Sequence, residues 1–313
     1  MDKYLEKYEH WLSEEGFRGN TIERYLIVAK GFMNWYVLLL KKEEFIPLDV
    51  SSHDLQDWEK YLLNEATYKR GKQDPKRYSI SSINNSLKSI RTYFQFFCDT
   101  GIISNNPALK VKAQRIAPDF EKEPRWLERS ERNKLIQVLE NEKNAAKNRW
   151  KFTRNRAIIF TQLYGGLRVS EVTDLEPDDI AFDKGYLFIR DKKGENVRRI
   201  EMNKELRNAL TEWIEERGQP QTQKLFTSSR GGKALTKQGI EYLYRSLSEK
   251  TGITDLTTHV PRHTMAHDLI EAGYSLQSVA DILGHTNIQY TRVYTKSCTQ
   301  EKREALDSLS PIQ

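Results

Sequence analysis

The chain has 313 residues, 38% of them hydrophobic and 30% charged, with six Trp, fifteen Tyr and twelve Phe; that is length for two domains with apolar cores and too many aromatics for a disordered chain. Two cysteines, Cys98 and Cys298, exclude a disulfide framework and a zinc-type spacing. The longest apolar run, Trp35 to Leu40, is too short for a bilayer, and Met1 to Glu15 is too charged for a signal peptide. A cytoplasmic protein with no membrane partner is expected, and its net charge of +6 leans toward a polyanion.

Residues 1–112 read as a helical domain. Tyr4, Tyr8 and Leu12 recur every four residues. A cap at Asn20 or Thr21 opens a second helix carrying Ile22, Tyr25, Leu26, Ala29, Phe32 and Tyr36. "SSHDLQDWEKYLLNE" begins with serine caps and places Leu55, Trp58 and Leu62 on one face. Tyr68 to Arg91 then carries Lys69, Arg70, Lys72, Lys76, Arg77, Lys88 and Arg91 against the single acid Asp74. Within it, "SISSINNSLKSIRTYFQFFCDTG" aligns Ile83, Leu87, Ile90, Phe94 and Phe97, with Gly101 as the C-terminal stop. The opposite face, with Asn85, Ser86, Lys88, Ser89 and Thr92, and with Arg91 close by, has the short polar groups and positive charge that contact phosphates and base edges. It reads either as a DNA-binding face or as an ordinary solvated one.

Residues 113–125 read as a linker, within a proline-rich, aperiodic stretch from Asn105 to Pro124. From residue 126 to 313 the pattern is mixed. "ERSERNKLIQVLE" and "TRNRAIIFTQLYGG" read as helices. Tyr186 to Arg190 and Val197 to Met202 read as a hairpin around a turn with Gly194. Helices follow over Lys204 to Glu216, Thr236 to Lys250, Arg262 to Ala272 and Leu276 to Leu283. The expected fold is mainly α with a small antiparallel β-sheet in the C-terminal domain.

Four pieces of this second domain carry chemistry. Arg168 follows a Gly-Gly break at the end of an apolar helix. Lys192 and Lys193 lie at the hairpin turn. "THVPRHT" supplies His259, Arg262 and His263. "LGHTNIQYTRVYT" supplies His285, Tyr290 and Tyr294. Taken singly, each has an ordinary explanation: Arg168 would pair with Glu171, Lys193 would be a turn lysine, His259 and His263 would cap the next helix, and Tyr294 would pack in a core.

Together and in this order they resemble the tyrosine site-specific recombinases, the phage integrase family that includes the Xer and Cre types. "RNRAIIFTQLYGGLRVSEV" resembles the family's first arginine box, "HVPRH" its His-x-x-Arg box, and "LGHTNIQYTRVYT" its Leu-Gly-His box, whose nucleophilic tyrosine falls on Tyr294. Aligning "KKGENVRRIEM" on the family's hairpin makes Lys193 the catalytic lysine, with Lys192 one position away as the alternative. Pro261 stands where relatives carry leucine; proline is tolerated in a first helical turn.

The resemblance implies a two-domain clamp on DNA. It implies strand cleavage by Tyr294 through a 3′-phosphotyrosyl ester and a Holliday junction, without a metal, ATP or other cofactor. Arg168 and Arg262 would neutralise the transition-state phosphate, and one such donor is worth about 10²–10³ in rate. Lys193 would protonate the departing 5′-oxygen. His259 would handle the phenolic proton, and His285 would donate to the phosphate. It further implies double-stranded DNA with inverted-repeat core sites, a homotetramer on paired sites closed by a C-terminal exchange tail, and no arm-binding domain. Two other readings stay open: a non-catalytic helix-turn-helix regulator, from "SLQSVADILGHTNIQYTRVY", and a type IB topoisomerase-like enzyme.

Overall fold

The computed structural model describes residues 2–69, 74–115, 124–145, 149–190, 197–229 and 232–284. The chain divides into two compact units, Met1–Asp119 and Phe120–Gln313. Among the described residues no helix is long and apolar enough to cross a membrane.

The first unit packs four helices: α1 (Asp2–Glu14), α2 (Gly19–Leu39), α3 (Ser52–Asn64) and α4 (Ile80–Asp99). Their apolar stripes meet in an aromatic core. Phe32 stands edge-on to Trp58 at 5.3 Å, and Tyr93 edge-on to Phe97 at 4.7 Å. Such pairs add about 0.5–1.5 kcal/mol beyond burial alone. Ser51 caps α3 in a reciprocal box with Asp54, and Gly101, at φ +71°, lies just past the Thr100 cap of α4. The start of α2 differs from expectation. Arg18, in extended conformation and without a side-chain bond, is the cap, so Asn20 and Thr21 lie inside the first turn.

A two-stranded ribbon, β1 (Thr67–Tyr68) with β2 (Lys76–Arg77), joins α3 to α4. Two-residue strands offer no alternation to read, so no periodicity announces it. At the far end, Asn84 and Gln114 exchange two hydrogen bonds of 2.9 Å, and the Gln114 amide donates to Glu59 at 3.0 Å. Residues expected to open the linker are thus pinned to the first unit.

In the second unit come α5 (Arg129–Ala145), α6 (Arg149–Gly165), α7 (Val169–Asp174), β3 (Ile180–Ala181), β4 (Tyr186–Arg190), β5 (Val197–Glu201), α8 (Lys204–Arg217), α9 (Lys237–Thr251), α10 (Val260–Glu271) and α11 (Leu276–Leu283). The sheet is antiparallel in the order β3-β4-β5, with Leu187 opposite both Ile180 and Ile200 on the buried face. The fold is mainly helical with small antiparallel sheets. The third strand, β3, is an addition to the expected hairpin.

Helix α6 is buried on every side from Thr153 through Leu163. Its polar side chains are held by specific partners, as buried polar groups must be. Arg154 donates to the carbonyls of Thr227 (2.8 Å) and Ser228 (3.0 Å), and burial lowers its pKa to about 10. Arg156 ion-pairs with Glu140. The Gln162 amide donates to the carbonyls of Thr258 and Leu167, while its oxygen accepts from the Tyr244 hydroxyl at 2.7 Å. One side chain therefore ties the loop after α6 to the segment leading into α10.

Candidate active site

That loop turns at Gly166, with φ +63°; a Cβ there would stand 2.8 Å from both Leu283 and Met265. The tight turn delivers Arg168 to the N-terminal cap of α7. Glu171, three residues on, reaches back and accepts from the Arg168 backbone N–H at 2.7 Å. The same carboxylate accepts from the Arg168 guanidinium at 2.9 Å. The ion pair expected of Arg168 as an isolated residue is therefore present.

It is one of three. Arg198, on β5, grips both oxygens of Glu171 at 3.0 Å each, the parallel two-bond geometry a guanidinium favours. Arg262, only 4% exposed, lies 3.9 Å from the other side of the carboxylate and donates to the carbonyls of Gly166 and Leu283 (2.7 Å). Burial alone would raise the Glu171 carboxyl. Bonding to Arg198 and the charges of Arg198 and Arg168 outweigh it and hold the group below the ordinary carboxylate range. The result is an ionised, largely shielded carboxylate surrounded by three cations.

Helix α10 begins at Val260, with Pro261 in its first turn and His259 as its cap. The expected helix began at Arg262; proline fits here because the first-turn N–H groups have no intrahelical partner. His259 is exposed at its outer edge. Partial desolvation first, then the charges of Arg262 and Arg168, lower its pKa, so it is neutral at physiological pH. His263, one turn on, has its pKa lowered to about 4 by burial, by His259 and by Arg262. The structure thus brings Arg168, His259 and Arg262 together. Lys192, Lys193, His285, Tyr290, Tyr294 and the C-terminal tail lie outside the described residues.

A cavity of about 450 Å³ borders Glu171, but Asp174, Glu176 and Asp179 also line it and outnumber its cations, Arg190 and Lys224, which are ion-paired to Asp179 and Glu176. Such a wall repels a phosphate, so the guanidinium face and not this cavity is the place for an anion. His267, Asp268 and Glu271 bring three donor atoms within 4.8 Å of one another. There Arg132 already ion-pairs with Asp268 and Trp126 stacks on His267 at 4.2 Å, which fastens the start of the unit to α10.

On α4, Asn85 and Lys88 are exposed and Ser86 partly so. One expectation for this helix needs correction. Ser89 is buried, its hydroxyl donating to the Asn85 carbonyl. Arg91, partly exposed, donates to the carbonyls of Ala108 and Val111 and so braces the turn at Pro107–Lys110 as a strut.

A family model described as the phage integrase family matches residues 125–301. The chain belongs to the phage integrase family. It is 26% identical over 313 residues to the tyrosine recombinase XerA of Thermococcus kodakarensis, covering 100% of this chain and 97% of that relative. The tyrosine recombinase XerC of Chlorobaculum tepidum is 30% identical over 253 residues, covering 74% of this chain and 73% of the relative. Among solved structures, the Tn1549 transposon integrase in complex with a circular intermediate DNA is similar with a TM-score of 0.69 at 19% identity, covering 98% of this chain and 99% of that one. At that identity the likeness speaks for the fold. The family is one of enzymes, the tyrosine recombinases. Within its first arginine box, sequence reading picked out Arg168 but missed that Glu171 is a hub and that Arg198 completes it.

Proposed function

We propose that this member of the family is a site-specific recombinase that cuts and rejoins duplex DNA through Tyr294. The observation that carries the reading is the convergence of Arg168 and Arg262, from distant parts of the chain, on one carboxylate, with a neutral His259 under the influence of both charges. In this reading the Tyr294 oxygen attacks the scissile phosphorus and passes its proton to His259. The bond to the 5′-oxygen breaks, and Lys193 protonates that oxygen as it leaves. One phosphodiester replaces another, so bond energy is conserved and the step needs no ATP. Charge growing on the nonbridging oxygens falls to Arg168 and Arg262, with a hydrogen bond from His285.

The substrate is double-stranded DNA with inverted-repeat core sites, bound by a homotetramer through a Holliday-junction intermediate. Asn85, Ser86, Lys88 and Arg91 are the contacts proposed from a DNA-binding domain of residues 1–112, and the segment 113–125, fastened at its start by Gln114, leads to the catalytic domain. A helix-turn-helix regulator would have no use for three guanidiniums arranged around a carboxylate.

The test is to incubate the protein with fragmented genomic DNA of its source organism, denature, capture covalent adducts and sequence them. Wild type and Tyr290→Phe should yield adducts at a shared sequence, and Tyr294→Phe none. Lys193→Ala should cleave slowly and recover on DNA with sulfur at the 5′-bridging position, because a thiolate leaves without a proton. Adducts formed by Tyr294→Phe at the wild-type rate would refute the assignment; rescue of Lys192→Ala in place of Lys193→Ala would move the acid by one residue.

A further inference from the structure

Strand β5 alternates. Ile200 faces the core, and Arg198 shares its face. A guanidinium there has little water to turn to, and its fork closes on both oxygens of Glu171. The head group also fills the space over Gly284. A Cβ on that residue would stand 2.6 Å from Arg198 Nη1, and its φ of +63° already favours glycine. Arg198 therefore touches the carboxylate that orders the arginine pair and the backbone at the end of α11.

Charge counting shows what the contact does. Arg168, Arg198 and Arg262 surround a single carboxylate, so the cluster is doubly positive. A phosphodiester carries one negative charge, and its five-coordinate transition state carries two. If Arg198 were absent, Glu171 would face Arg168 and Arg262 alone. It would hold Arg168, already bonded to it at 2.9 Å, more tightly and draw in Arg262, now 3.9 Å away, and the site would keep one net positive charge. Coulomb attraction of this kind is strong where water is scarce.

Resting on the recombinase reading above, we propose that Arg198 is a positioning residue. It neutralises Glu171 so that the charge of Arg168 and Arg262 is directed at the phosphate, and it matters most when the transition-state charge develops.

The experiment uses the full-length protein and the DNA duplex mapped from wild-type adducts, in single-turnover cleavage. Arg198→Gln should bind the duplex with nearly wild-type affinity and cleave it about 10²-fold more slowly, the scale of a misdirected catalytic group. Two further arms separate this from loss of a structural ion pair. With a methylphosphonate at the scissile position, which removes one negative charge, the defect of Arg198→Gln relative to wild type should shrink. Arg198→Gln combined with Glu171→Gln should cleave faster than Arg198→Gln alone, because a neutral amide no longer captures the arginines. If Arg198→Gln does not fold, as judged by circular dichroism and melting, Arg198→Lys carries the same comparison: it keeps the charge without the fork, and a smaller defect that shrinks on the neutral substrate is expected. An equal defect on charged and neutral substrates, or a double variant no faster than the single one, overturns the proposal. Absence of any adduct from wild type instead overturns the recombinase reading on which it rests.

Discussion

His263 follows Arg262 directly and is held neutral, its pKa lowered to about 4 by burial, His259 and Arg262. The unfolded chain protonates such a group near pH 6.5. Between about 6.5 and 4 the unfolded state therefore binds more protons than the folded one, and stability rises with pH. The contribution is complete above 6.5 and is lost on acidification through that window, by up to about 1.4 kcal/mol per pH unit for one proton. Urea unfolding at pH 7.0, 6.0 and 5.0 should show the fall in wild type and a flatter profile in His263→Asn. Equal slopes would show that His263 is not the titrating group. Other residues of the site differ in how far the sequence revealed them. Arg168, His259 and Arg262 stand out because several weak signals occur in a fixed order. Arg198 did not, because its partner is on another element. The signal existed all the same. Alternation in "VRRIE" puts Arg198 on the face of Ile200, and an inward-facing arginine calls for a carboxylate.

Among the elements, α4 shows where periodicity suffices and where it stops. Its apolar stripe, Ile83, Leu87, Ile90, Phe94 and Phe97, is buried as its spacing dictates. The other side cannot be read from spacing alone, because a polar residue's partner is set by whatever folds over it. Lys88 remains in solvent, while Arg91, partly exposed, is bonded to the turn at Pro107–Lys110. The two cations should therefore separate in experiment. Lys88→Ala should leave the melting temperature unchanged and flatten the dependence of DNA affinity on salt, since one fewer counterion is released. Arg91→Ala should lower stability by about 1–3 kcal/mol, because two carbonyls lose their donor. A melting temperature unaffected by Arg91→Ala would contradict the strut. The ribbon of β1 and β2 and the early starts of α2 and α10 were hidden for a related reason: each depends on one or two residues of backbone geometry, below the length at which a period can be counted.

At the scale of the whole molecule, the described residues of each unit hold an apolar core of their own, one rich in aromatic rings and the other wrapped around α6, with a smaller cluster at Ala266, Val279 and Leu283. The second arrangement has a consequence in time. The loop bearing Arg168 hangs from the end of a helix that is buried on every side from Thr153 to Leu163, and Gln162 fastens that loop to the entry of α10. Few partial openings can release such a loop without first dismantling what surrounds it. Heat should therefore stop DNA cleavage at the rate at which the second unit unfolds, with no earlier inactive but folded stage. Parallel decay of cleavage activity and of tryptophan fluorescence from Trp150 and Trp213 would show it. The clock that limits this enzyme's working life would then be its unfolding barrier, set by the packing around α6.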